Sequence, residues 1–132
     1  MIVLDTHILI WWVDSPQKLS KKAREIIEKE KLKKGNISVS SISALEIYRL
    51  VKNGRLQLTT PIESWMGKIE SLPSIQFIPV DNSIASLSVA LPNFDHEDPA
   101  DRIIIATALN IGAKLITSDK RILKYKKVKT IW

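Results

Sequence analysis

The stretch from Asp98 to Asp119 constrains the fold more than any other part of the chain. Asp98 has the short polar side chain of a helix N-cap, Pro99 suits the first helical position, and Gly112 can take the left-handed backbone that ends a helix. The spacing predicts an apolar helix over 99–111 and, directly after it, a buried strand over 113–117. Asp101 then lies in the first helical turn and Asp119 just past the strand's carboxyl end. Apolar elements that carry acids only at their ends make a scaffold for carboxylates along one edge of a sheet.

The same junction recurs earlier. Residues 2–4 are a short apolar strand followed at once by Asp5, and Thr6 can cap a mostly buried helix over 7–13 that Asp14-Ser15-Pro16 interrupts. Ser20 should cap a long lysine-rich helix ending near Gly35, with Ala23, Ile26 and Ile27 as its apolar stripe. Residues 37–40 alternate as a strand does, and 41–43 lead into a helix through Glu46 that stops near Gly54. Thr60-Pro61-Ile62-Glu63 opens another helix whose buried stripe is Ile62, Trp65, Met66, Ile69 and Leu72. Residues 75–80 read as a strand in which Pro79 marks either its end or a sheet edge, Asp81 caps a helix, and a final strand is expected over 128–132. Short apolar strands alternating with helices predict an α/β fold: one domain over 1–132 with a mostly parallel central sheet and helices on both faces.

Composition sets the remaining limits. The chain has 132 residues, 45% hydrophobic and 26% charged, which is enough to bury a sizeable core. It has no cysteine, so disulfides and thiolate zinc sites are excluded. The longest uncharged apolar run, 8–13, is too short to cross a bilayer, and a cytoplasmic location with no membrane partner is expected. Net charge is +6, from 20 Lys and Arg against 14 Asp and Glu. Setting four acids aside for a site leaves twice as many basic as acidic side chains, which suits a polyanionic partner as well as it suits a solvated surface.

Ligands of open parallel sheets collect beyond the carboxyl ends of the strands. Asp5, Asp101, Asp119 and, one turn into its helix, Glu46 all fall there. Each also has a structural explanation: Asp5 as a helix cap, Glu46 in a capping box with Ser43, Asp101 at a helix dipole, Asp119 in a turn. Together they make a cluster of like charges that a hard divalent cation such as Mg²⁺ or Mn²⁺ would resolve, because such ions prefer oxygen ligands.

The opening Ile-Val-Leu-Asp-Thr-His, the mid-chain Ser-Ala-Leu-Glu-Ile, the block from His96 to Ala108 and Leu-Ile-Thr-Ser-Asp ending at Asp119 together resemble a PIN domain, and in particular the VapC-like toxins of toxin-antitoxin pairs. By that resemblance Asp5, Glu46, Asp101 and Asp119 match an acidic quartet that binds Mg²⁺ or Mn²⁺ and supports RNA cleavage. Thr6, Asp98, Thr117 and Ser118 match supporting polar positions. The third motif departs from its common form at Glu97, where Arg is usual, and at Ala100, where Phe is usual. The resemblance also implies a homodimer and a cognate antitoxin.

The expected chemistry is attack of a metal-activated water on an RNA phosphodiester, needing no Ser, Cys or His nucleophile. Arg49, Arg102, Lys120 and Arg121 are the candidates for phosphate contacts, and His7 and His96 are expected to take hydrogen-bonding or substrate-side roles without ligating metal. Three other readings are weighed: a PIN nuclease of RNA processing or decay, a catalytically silent RNA-binding or interaction module, and phosphoryl transfer at an aspartate. Haloacid-dehalogenase-like phosphatases carry a second Asp two residues after the first, and here that place is His7. Receiver domains need paired acids after the first strand, and Asp5 stands alone.

Overall fold

The computed structural model describes residues 1–132. Five strands form one sheet: β1 (Ile2–Leu4), β2 (Ile37–Ser40), β3 (Ile75–Ile78), β4 (Lys114–Ile116) and β5 (Thr130–Ile131), in the order β3-β2-β1-β4-β5. All four pairings are parallel, with Ile2 opposite both Ile37 and Lys114. The chain winds outward from β1 through β2 to β3, then returns to the other side of β1 for β4 and β5. The crevice between β1 and β4 is therefore the point where the winding reverses, and the ends of these two strands carry Asp5 and Asp119.

Side-chain alternation divides the interior into two cores. Ile2 and Leu4 enter one cluster with Ile37, Val39 and Ile116, and Val3 enters the other with Leu115. The first core is closed by α1 (Thr6–Asp14), α2 (Lys21–Glu30), α3 (Ser41–Lys52) and α4 (Ile62–Glu70), through residues such as Ile8, Ile27, Ile47 and Trp65. The second is closed by α6 (Pro99–Ile111) and α7 (Lys120–Lys124), through Ile104, Ile105 and Ile122. The eight-residue α5 (Asn82–Val89) packs along α6. No helix is long and apolar enough to cross a membrane.

Boundaries differ from the sequence reading where local chemistry outweighs pattern. Asp5, not Thr6, occupies the cap of α1 and accepts a hydrogen bond from the Thr6 amide at 2.8 Å. Ser40 caps α3 through the Ile42 amide, so the strand feeds the helix without a connecting loop. The lysine-rich helix α2 ends at Glu30, five residues before Gly35. β3 stops at Ile78, before Pro79, which has no N–H to donate to a ladder, and it lies at the edge of the sheet. β5 is only Thr130–Ile131.

Asp98 caps α6 through the Ala100 amide at 3.0 Å, and Gly112 closes it with φ 69°. Gly67, by contrast, sits mid-helix in α4 with no positive φ and nothing within 4 Å of an added Cβ. The two glycines therefore predict opposite outcomes for one substitution. Gly67→Ala should stabilise the protein by about 0.5–1 kcal/mol through lost unfolded-state freedom, and Gly112→Ala should destabilise it by at least about 1 kcal/mol. Urea midpoints of the two variants check the signs.

Candidate active site

Asp5 is the centre of the site. It is 7% exposed, placed by β1 against β4: its own amide donates to the Ile116 carbonyl at 3.0 Å, extending the ladder one residue past the strand. One carboxylate oxygen accepts from the Thr6 amide, and the other accepts from the Thr117 hydroxyl at 2.7 Å. Thr117, fully buried after β4, also accepts from the Asp119 amide at 3.1 Å. One hydroxyl thus couples two acids that are 114 residues apart in sequence. No cationic side chain hydrogen-bonds to Asp5, and burial pushes its carboxyl above the ordinary value of 3.8 despite the hydrogen bonds from Thr117 and Thr6.

Glu46 reaches the same place from α3. Its carboxylate is bonded to the Thr6 hydroxyl, which lies 2.8 Å from the Ser43 hydroxyl. Since Thr6 has one proton and Glu46 as a carboxylate can only accept, Thr6 donates to Glu46 and accepts from Ser43. The capping-box explanation for Glu46 is thereby replaced: Ser43 holds Thr6, and Thr6 holds Glu46. Desolvation raises the Glu46 carboxyl, and Asp5, Asp101 and Asp98 raise it further by repulsion.

Asp101 projects from the first turn of α6 and lies 2.6 Å from His96 Nε2, while His96 Nδ1 lies 2.9 Å from an Arg121 guanidinium nitrogen. Arginine can only donate, so Nδ1 is the acceptor and Nε2 carries the proton given to Asp101. His96 has no lone pair left for a metal, even though its ring nitrogen and one oxygen each of Asp98 and Asp101 lie within 4.8 Å of one another. Burial raises Asp101, with Asp5 and Asp98 adding repulsion. Asp119 behaves differently. It caps α7, accepting from the amides of Arg121 at 2.8 Å and Ile122 at 3.4 Å; with the Arg121 guanidinium, these bonds outweigh burial and hold its carboxyl below 3.8.

All four acids line one cavity of about 340 Å³, together with Asp98 and Ser118, and His7, Trp11 and Arg121 complete its wall. Each of the other three interacts electrostatically with Asp5, and the pairs Glu46–Asp101 and Asp5–Asp119 both repel. Apart from the His7 imidazole, the possible ligands lining this space are carboxylates and a hydroxyl, an oxygen-rich set that suits a hard divalent cation better than a soft one. The residues present therefore fit Mg²⁺ or Mn²⁺.

The basic candidates separate in the structure. Arg121 is exposed at the cavity wall, and Arg49 lines a neighbouring hollow of about 270 Å³ beside Glu46 and His7. Lys120 is exposed at the start of α7. Arg102 is corrected: its guanidinium donates to the carbonyls of Ser88, Phe94, His96 and Val89 at 2.8–3.2 Å, and covers the Phe94 ring. That clamp ties the end of α5 to the loop before α6 and leaves the charge committed to backbone oxygens. Sequence reasoning paired Ser43 with Glu46 by spacing and missed both its contact with Thr6 and this use of Arg102, because neither contact has a spacing signal.

A carboxyl raised by folding holds its proton more tightly in the folded chain than in the unfolded one. Asp5, Glu46 and Asp101 therefore make the metal-free protein less stable as pH climbs from about 4 through their raised values. Asp119, lowered by folding, contributes stability above its ordinary 3.8 that is lost as pH falls. At pH 7.5 without metal, Asp5→Asn and Glu46→Gln should raise Tm by a few degrees and Asp119→Asn should lower it. Scanning calorimetry in chelator checks both directions.

Residues 2–128 match the model of the PIN domain. The chain is 34% identical over 133 residues to Ribonuclease VapC22 of Mycobacterium tuberculosis, a match covering 99% of this chain and 98% of that protein. Among solved structures it resembles VapBC2 from Rickettsia felis bound to a promoter DNA fragment (TM-score 0.73, 17% identity, 99% of this chain and 98% of that one). It also resembles a toxin-antitoxin complex from Klebsiella pneumoniae (TM-score 0.65, 23% identity, 100% and 97%). The parallel sheet, the acid-lined crevice beside its central strand and this full-length likeness give one conclusion: the chain belongs to the PIN domain family.

Proposed function

We propose that this protein is a divalent-metal-dependent ribonuclease and the toxin of a toxin-antitoxin pair. The observation that carries the reading is the convergence of Asp5, Glu46, Asp101 and Asp119 on one cavity at the sheet's reversal point, with no basic side chain bonded to the most buried of them. The kinship with a VapC ribonuclease supports RNA as the substrate, and the likeness to toxin-antitoxin complexes supports an antitoxin as partner. A homodimer is part of the same reading.

In this proposal the quartet holds Mg²⁺ or Mn²⁺. When bound, the ion supplies Lewis-acid activation of a water and neutralises charge building on the phosphate. The chain's own residues set the geometry. Thr117 and the Thr6 amide fix both oxygens of Asp5, the Thr6 hydroxyl fixes Glu46, and His96 orients Asp101. These contacts keep the carboxylates from turning away from one another, which mutual repulsion would otherwise favour. In this reading Arg121, which lines the cavity wall, meets a phosphate oxygen, and Arg49 and Lys120 contact other phosphates of the strand.

The test is cleavage of single-stranded RNA by the purified protein. Asp5→Asn and Asp101→Asn should each lower the rate by about 10²-fold or more, EDTA should abolish it, and Mn²⁺ should restore it to the wild type alone. Undiminished cleavage in either variant, or in chelator, refutes the metal mechanism. Expression with and without the neighbouring gene tests the toxin role: growth arrest should appear only without it.

A further inference from the structure

A second concavity lies against the acidic cavity, on the far side of the His96–Arg121 contact. It holds about 450 Å³ and is lined by Asn93, Phe94, His96, Arg121, Lys124 and Tyr125, with Asp95 at its rim. Its charge has the opposite sign. The first cavity gathers five carboxylates against one arginine, whereas this one offers Arg121 and Lys124 against one exposed acid. An RNA strand whose scissile phosphate entered the acidic cavity would need a less acidic place for the adjoining nucleotide, and this concavity is directly adjacent.

The hollow is preformed. Phe94 and Tyr125, both buried members of the second core, pack with ring centroids 4.8 Å apart and give the hollow a rigid apolar side, and the Tyr125 hydroxyl donates to the Pro92 carbonyl at 2.8 Å. The Arg102 clamp fixes the carbonyls of Phe94 and His96 from behind. Asn93 has φ 58°, the left-handed conformation that asparagine tolerates, and its side chain is exposed beside that apolar side. A rigid apolar side, an amide able to both donate and accept, and cations at the edge together match a nucleobase with its phosphate.

We propose that this pocket seats the single nucleotide adjoining the scissile phosphodiester, its base against the apolar side that Phe94 and Tyr125 border, with Asn93 reading its edge and Lys124 meeting its outer phosphate. Arg121, common to both cavities, spans the two subsites. The proposal rests on the ribonuclease reading, because only a nucleic-acid substrate continues past the reacting phosphate. It makes Asn93 a specificity-determining residue, and Lys124 a binding residue with no part in the chemical step.

The probe is a set of four fluorescein-labelled 2′-O-methyl RNA hexamers, homopolymers of A, C, G and U, which resist cleavage and report binding by anisotropy. Lys124→Ala should weaken binding about tenfold, with a shallower salt dependence, as expected for one lost phosphate contact. Asn93→Gly keeps the left-handed backbone and removes the amide; it should flatten the preference among the four hexamers. Wild-type affinity in Lys124→Ala together with an unchanged preference in Asn93→Gly, both variants being folded by circular dichroism, overturns the pocket. The ribonuclease reading is decided separately, by cleavage of unmodified RNA with Mn²⁺. Binding that responds to these substitutions in a protein that never cleaves would keep the pocket and remove the enzyme.

Discussion

The structure depends on a carboxylate placed where a charge is costly. Asp5 lies at the end of the central strand, almost entirely removed from water, and its hydrogen bonds come from neutral groups, an amide and a hydroxyl. Isolated burial of this kind opposes ionisation unless a counter-charge is supplied. Around it the fold places three more acids, each on a different element. The apolar parts of β1, β4, α3 and α6 stabilise the fold strongly enough to hold this arrangement against its own repulsion. A divalent cation is the simplest species that turns the repulsion into attraction.

The order of the strands explains why the acids meet. Because β1 lies between β2 and β4, the loops leaving β1 and β4 part at the reversal point and their side chains face a common crevice. Asp5 and Asp119 follow directly from that topology. Glu46 and Asp101 arrive on the N-terminal halves of helices that pack over the same strand ends. Small polar residues then do the fine positioning: Thr117 joins Asp5 to Asp119, and Thr6 joins Ser43 to Glu46. On the outer side His96 and Arg121 form the wall between an acidic space and a basic one.

Much of this was legible in the sequence for a physical reason. Apolar strands of three or four residues that end in an acid, and a helix bracketed by Asp-Pro and Gly, are local signals that tertiary packing does not override. The parallel sheet and the gathering of the four acids at its carboxyl edge could be read on that basis, and Pro79 signalled that β3 ends there or lies at an edge. What could not be read depends on contacts between distant segments. Arg102 reads as a free cation beside an acid, yet four backbone carbonyls from α5 and the following loop capture it. Thr6 reads as a helix cap, but Asp5 takes that place and frees the Thr6 hydroxyl for Glu46, 40 residues away. His96 in a polar loop gives no sign that it bridges Asp101 and Arg121. Side chains that serve a site through another side chain leave no periodicity behind.

The central claim is that acids distant in sequence form one ion-binding pocket centred on Asp5. Its most direct test is calorimetric titration of the purified protein with Mn²⁺. Saturable binding is expected for the wild type and for Glu70→Gln, which removes an exposed acid at the end of α4, and it should be lost in Asp5→Asn. Equal Mn²⁺ binding by the wild type and Asp5→Asn would contradict the account.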